Sequence, residues 1–111
     1  MNEKSLFIEF IGDSPIVRVL DYLITERTLD FSITDIAKNS GIGRATLYRI
    51  WDSLIKNNII ISTRMIGKAK LFKLNISNPK IRKLIEIDDM LILEDLQKRS
   101  DPQKISIPVK P

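Results

Sequence analysis

The spacing of apolar positions changes along the chain, and each change marks an element. From Pro15 to about Thr25, Ile16, Val19, Leu20 and Leu23 recur at three- and four-residue intervals, the period of a helix face, with Arg18, Asp21 and Tyr22 turned away from it. Gly12-Asp13-Ser14-Pro15 opens that helix. Ser14 is placed to accept from a free amide of the first turn, and Pro15 removes an N–H that would have no partner there. Upstream, Phe7, Phe10 and Ile11 have the spacing of a short helix, although Leu6-Phe7-Ile8 equally fits the start of a strand. After a connector at Arg27–Phe31, Ser32 opens a second helix, with Asp35 completing a variant capping box and Ile33, Ile36 and Ala37 facing inward.

Ser40-Gly41-Ile42-Gly43 interrupts the helical period, and a third helix follows from Gly43 or Arg44 to Asn57. The two glycines are expected to make the turn. At 100° per residue, Ile50, Trp51 and Leu54 lie within about 60° of Leu47 and predict a buried face. Ala45, Arg49, Asp52 and Lys56 lie within about 40° of the opposite pole, flanked by Thr46, Tyr48 and Ser53. The spacing then changes again. Ile59–Ile66 is rich in β-branched residues, Gly67-Lys68 is a turn, and Ala69–Leu74 alternates, which predicts a hairpin. Asn78-Pro79 begins a last helix over Lys80–Lys98, and Ser100–Pro111, with three prolines, reads as a mobile tail.

Helix, glycine break, helix, hairpin is the element order of a winged helix-turn-helix. The stretches DIAKNSGIGRATLYRIWDSLIKNNII and RMIGKAKLFKLN resemble the winged-helix transcription regulators of archaea and bacteria, broadly the MarR, ArsR and TrmB-like groups. Ala37 matches the small residue where the two helices touch, Gly41 the turn, and Ile36, Ile42, Leu47 and Ile50 the shared core. Ser40 departs from the pattern by replacing a more usual apolar residue. The resemblance covers about 32–75 and leans archaeal. It implies a mainly α (α+β) fold, with a three-helix core, a two- to three-stranded β-wing and a C-terminal dimerisation helix. The expected organisation is an N-terminal arm (1–12), a DNA-binding domain (13–76), a dimerisation helix (77–99) and a tail (100–111).

Charge sharpens this picture. Between Lys38 and Lys83 lie eleven basic residues against one acid, Asp52, so this window carries +10 while the remainder of the chain is net acidic. Leu47, Trp51, Leu54, Leu71, Phe72 and Leu74 are interleaved with those charges, which makes the window a folded, basic surface suited to a phosphate backbone. With no Cys and no His in its 111 residues, the chain has no disulfide, imidazole base, thiol nucleophile or ordinary transition-metal site. It also has no glycine-rich phosphate loop, so no catalytic residues, metal or cofactor are assigned and the chain is not expected to be an enzyme. No apolar run approaches the length of a membrane span, and the N-terminus lacks a secretory pattern; a cytoplasmic protein is expected.

The candidate site follows from the outward face of the third helix (43–57), expected in the major groove, and the wing (64–70), expected on the backbone or minor groove. Arg49 is suited to bidentate reading of guanine, Ala45 and Thr46 to a thymine methyl, and Tyr48 and Ser53 to phosphate. Arg44 adds charge at the positive end of the helix dipole, and Lys56 extends the basic face. Arg64, Lys68 and Lys70 cluster at the wing. Trp51 belongs to the core. Asp52 is expected to pair within the helix with Arg49 or Lys56. Along the last helix, Ile81, Leu84, Ile85, Ile87, Met90, Leu91, Ile92, Leu93 and Leu96 form too broad an apolar set for one stripe, so a homodimer through this helix and the Phe7–Ile11 arm is expected. Its acidic residues Glu86, Asp88, Asp89, Glu94 and Asp95 are expected to be a solvated flank. The expected function is sequence-specific binding of double-stranded DNA in transcription regulation; the alternatives are a winged-helix scaffold for proteins or a factor that coats DNA.

Overall fold

The computed structural model describes residues 4–100, so the expected tail falls on residues outside the described ones except for Ser100, which closes the last helix. The elements are α1 (Leu6–Ile11), α2 (Pro15–Thr25), α3 (Ile33–Ser40), α4 (Arg44–Lys56), β1 (Ile60–Ile66), β2 (Ala69–Leu74) and α5 (Pro79–Ser100). Three serines set the first three helices. Ser5, Ser14 and Ser32 accept, through Oγ, the N–H groups of Ile8, Val17 and Asp35 at 3.1, 3.3 and 3.2 Å. The first of these decides Leu6–Ile11 as helix rather than strand.

α2 is the central element, with α1, α3, α4 and β2 packed around it. Its buried arc is therefore wider than a single stripe: Val17 and Ile24 join Val19 and Leu23 inside, while Ile16 and Leu20 are half-buried. Tyr22, expected to face outward, instead packs at the core edge with its ring 5.0 Å from that of Phe31. Its hydroxyl accepts from Asn39 Nδ2 at 3.0 Å. Phe7, Leu23, Ile24, Ile36, Leu47, Leu54, Leu74 and Val19 are the fully buried centre.

The turn between α3 and α4 is fixed from two sides. Gly41 is left-handed (φ 73°), its N–H reaches Lys38 O at 3.2 Å, and the Ile42 N–H reaches back to Ala37 O at 3.1 Å, which satisfies the last carbonyls of α3. From α2, Arg18 donates Nη1 to Gly41 O at 3.2 Å while Nε and Nη2 hold Asp13 at 2.7 and 2.9 Å. Arg18 was expected on a solvated face; it is a clamp, because the loop ahead of α2 brings an acid beside it and the turn brings a free carbonyl. The Ser40 side chain is buried with no hydrogen-bond partner for its hydroxyl among the described residues.

β1 and β2 are antiparallel, pairing Ile60 with Leu74 and Ser62 with Phe72 near the core and Met65 with Lys70 and Ile66 with Ala69 at the tip, with an irregularity between Ser62 and Met65. Phe31 adds a one-residue third strand, exchanging backbone bonds of 2.7 and 2.8 Å with Phe72. The exit of α4 passes through Asn58, whose positive φ (57°) an asparagine tolerates. Its carbonyl accepts from the side-chain amides of Asn75 and Asn78 at 3.0 and 3.1 Å, which ties the ends of α4 and β2 to the start of α5.

α5 buries Ile81 and half-buries Leu84 and Ile85 against the core. Asp88 continues that same face at helical spacing, so it is buried (7% exposed) and not part of a solvated flank. Burial raises the pKa of its carboxyl, and the nearby charges of Asp21 and Asp89 push in the same direction.

Replacing Gly41 with alanine puts a Cβ on a left-handed residue 3.4 Å from Arg18 Nη1. Gly41→Ala is expected to cost about 1–2 kcal/mol, measured as a lower midpoint in urea unfolding.

Candidate nucleic-acid interface

α4 is held from below and free above. Leu47 and Leu54 are fully buried, Ile50 and Trp51 are half-buried, and the Trp51 ring meets Phe72 edge-on at 4.9 Å between centroids. That contact confirms Trp51 as core and seats α4 on the hairpin. On the outer side Arg44, Ala45, Tyr48, Arg49, Asp52, Ser53 and Lys56 are exposed and Thr46 is half-buried.

Local bonds order this surface. Arg44 Nη2 donates to the Tyr48 hydroxyl at 2.9 Å, with its guanidinium 5.7 Å from the ring centroid, so the two exposed side chains form one unit across a helical turn. Arg49 turns back to donate Nη2 to Thr46 Oγ1 at 3.2 Å. The expected Asp52 pair forms with neither partner: Arg49 turns to Thr46, and among the described residues neither it nor Lys56 makes an ion pair with Asp52 within 4.0 Å. Ser53 accepts from Asn57 Nδ2 at 3.2 Å through Oγ and at 2.8 Å through its carbonyl, so the C-terminal end of α4, where Lys56 also lies, is tied into the helix exit.

The two glycines of the turn play different parts. Gly43 has an ordinary extended backbone (φ −73°), so only Gly41 is required by conformation, contrary to the expectation for both. As the N-cap of α4, Gly43 makes no side-chain hydrogen bond, and a Cβ built there meets nothing within 4 Å. The first amides of α4 are therefore uncovered, at the positive end of the helix dipole and beside Arg44.

In the hairpin, Lys68 and Lys70 are exposed and unpaired among the described residues. Arg64, grouped with them from sequence, has another engagement: Nε and Nη2 bind both oxygens of Asp30 at 3.0 and 3.2 Å, and Thr63 Oγ1 donates to the same carboxylate at 2.6 Å. Asp30 and Thr63 were not singled out from sequence, since a pair 33 residues apart leaves no local periodicity to read. Met65 and Ile66, exposed at the tip, were also missed; the available signal was two aliphatics beside Gly67 with no core beneath them.

A family model described as the helix-turn-helix domain of resolvase matches residues 31–54, which span α3, the turn and most of α4. Over most of its length the chain superposes on several solved structures. NadR, solved in complex with 4-hydroxyphenylacetate, aligns with a TM-score of 0.61 at 15% identity, covering 90% of this chain and 71% of NadR. The fold is a winged helix-turn-helix. The transcription regulator MepR of Staphylococcus aureus gives 0.58 at 18% identity over 88% of this chain and 80% of its own. The antimony-specific transcriptional repressor AntR gives 0.57 at 18%, over 83% and 78%. No curated protein matches the chain by sequence. In the winged helix α3 and α4 are the two helices of the motif, and β1 and β2 the wing. Among the described residues no helix is long and apolar enough to cross a membrane, and no three potential metal ligands converge.

The wing's clamp is titratable. Hydrogen bonds from Arg64 first and Thr63 second lower the Asp30 pKa from 3.8 to about 2, and Arg18 does the same for Asp13, also to about 2. A carboxyl depressed by folding stabilises the fold above its unfolded pKa, and that contribution is lost as pH falls through the folded value. Stability should therefore drop between about pH 4 and pH 2. Asp30→Asn should flatten that slope, read as the melting temperature across the interval.

Proposed function

We propose that this protein binds double-stranded DNA sequence-selectively, as a transcription regulator, with the N-terminal half of α4 in the major groove. The observation that carries this reading is the combination of Leu47 and Leu54 locked in the core with Arg44, Ala45, Tyr48 and Arg49 free on the opposite face. Arg49 reads a guanine edge, in exchange for its bond to Thr46, and Ala45 and Thr46 face a thymine methyl. Arg44, with Tyr48 beside it, and the open amides after Gly43 meet a backbone phosphate. Ser53 and Lys56 contribute at the far end of the helix. On the wing, Lys68 and Lys70 supply phosphate contacts while Arg64 serves first to hold the hairpin against Asp30. In this reading 13–76 is the DNA-binding unit, preceded by an arm (1–12).

The second half of α5 supports a homodimer through 77–99. Met90, Leu93 and Leu96 are each more than half exposed and Ile92 is 44% exposed, a concentration of aliphatics that a second copy would cover. Two-fold pairing through α5 presents two recognition helices to half-sites about one DNA turn apart.

Sites selected from a randomised duplex pool test the reading. Arg49→Ala should weaken binding to the selected site by roughly 1–3 kcal/mol and relax one base position, whereas Lys68→Ala should weaken all sequences alike and lower the salt slope by about one. Equal loss on every sequence for Arg49→Ala would remove it from base reading. Leu93→Asp should halve the mass seen in sedimentation; an unchanged mass would remove α5 as the dimer interface.

A further inference from the structure

We propose that the wing tip is an apolar wedge: Met65 and Ile66 enter the minor groove of duplex DNA, part a base step and kink the helix. This rests on the reading of the protein as a DNA binder and adds an activity to it, deformation of the duplex. Apart from Ile60, β1 is exposed along its whole length, so nothing in the fold requires aliphatic side chains at its outer end. Met65 is nonetheless 62% exposed and Ile66 56%. In the paired register Met65 stands opposite Lys70 and Ile66 opposite Ala69, with Lys68 in the turn between the strands. Successive residues of a strand project to opposite faces, so Met65 shares a face with Lys70 and Ile66 shares the other with Ala69; each face of the hairpin end carries one exposed aliphatic side chain close to an ammonium group.

This arrangement selects among partners. A second copy paired tip to tip would bring Lys68 and Lys70 against their own equivalents, and a neutral protein surface would leave both ammonium groups unmatched. The minor groove offers both halves of the match. Its walls carry phosphates for the lysines, and its floor exposes stacked bases between which Met and Ile side chains are known to insert as wedges. Pyrimidine–purine steps, above all TA, unstack most readily and are the expected point of entry.

A wedge also has to be stiff. The hairpin turns through a two-residue loop in which Gly67 (φ 59°) takes the positive φ. Midway along the hairpin, at the irregularity between Ser62 and Met65, the Asp30 carboxylate holds Thr63 and Arg64, and Phe31 bonds Phe72 on the neighbouring strand. Met65 follows the clamped pair immediately, so force applied at the tip is resisted by the domain.

The test uses the full chain and a duplex of its selected site, with energy-transfer dyes at the two ends and 2-aminopurine at the TA step. Wild-type protein should raise both end-to-end transfer and 2-aminopurine fluorescence on binding. The double variant Met65→Ser/Ile66→Ser removes only exposed side chains and no charge. It should bind with an unchanged salt slope but lose both signals and the preference for TA steps. Bending by the double variant equal to wild type, or wild-type binding without bending, overturns the wedge while leaving DNA binding intact. Absence of wild-type binding to any duplex at low salt overturns both. A smaller mass for the double variant, or its loss of binding to phosphatidylserine vesicles while its DNA signals persist, would reassign the tip to a contact between copies or a lipid surface and likewise overturn the proposal.

Discussion

The left-handed turn at Gly41 is the constraint on which the rest of the molecule depends. It ends α3 and sets the direction in which α4 leaves, and therefore which side of α4 meets the core. Glycine makes the conformation available, the Gly41 and Ile42 amides close α3 through it, and the Arg18 guanidinium braces it, binding the Gly41 carbonyl with one nitrogen and Asp13 with two others. The first helix of the core thus positions the motif that follows it. Without that clamp, burial of Leu47 and Leu54 would still favour a helix but would leave its angle to α3 less restrained.

From that turn outward, polar and apolar roles separate cleanly along α4 and less cleanly elsewhere. α4 is amphipathic, and its exposed side is ordered by its own neighbours: Arg44 against Tyr48, and Arg49 against Thr46. The Arg44 guanidinium, held against Tyr48, has already lost part of its side-chain entropy, whereas Arg49 must release Thr46 before it can bond elsewhere. α5 departs from this pattern, with a buried carboxylate in its inward face at Asp88 and aliphatics on its outer one.

Much of this was legible in the sequence, because helix caps and periodicity are local. Ser14 before Pro15, Ser32 before Asp35 and the apolar spacing of Leu47, Ile50, Trp51 and Leu54 each depend on neighbours within a turn or two, and each element formed where it was expected. The roles that differed from expectation depend on distant partners. Arg18 and Arg64 carry nothing in their local context that distinguishes a clamp from a solvated charge; Gly41 and Asp30 make the difference, 23 and 34 residues away. Asp88 was readable in principle, since it continues the Ile81–Ile85 face, but chemical type suggested the surface and spacing prevailed. Gly43 was over-read for the opposite reason. Two glycines in one turn look equivalent as letters, and only backbone angles separate a conformational need from an uncovered helix end.

The bridge between Phe31 and Phe72 and the Asp30 clamp beside it have a consequence for how the molecule assembles. The hairpin's own turn is local and closes quickly, but its attachment to the body joins parts of the chain more than thirty residues apart. Contacts of that separation form late, after shorter loops have closed. During synthesis the helices from α1 to α4 emerge first, while Asp30 and Phe31 wait for a strand not yet made. The wing is then the last part of the fold to be fixed in place, and a chain interrupted before Phe72 would carry α4 without the hairpin that braces it.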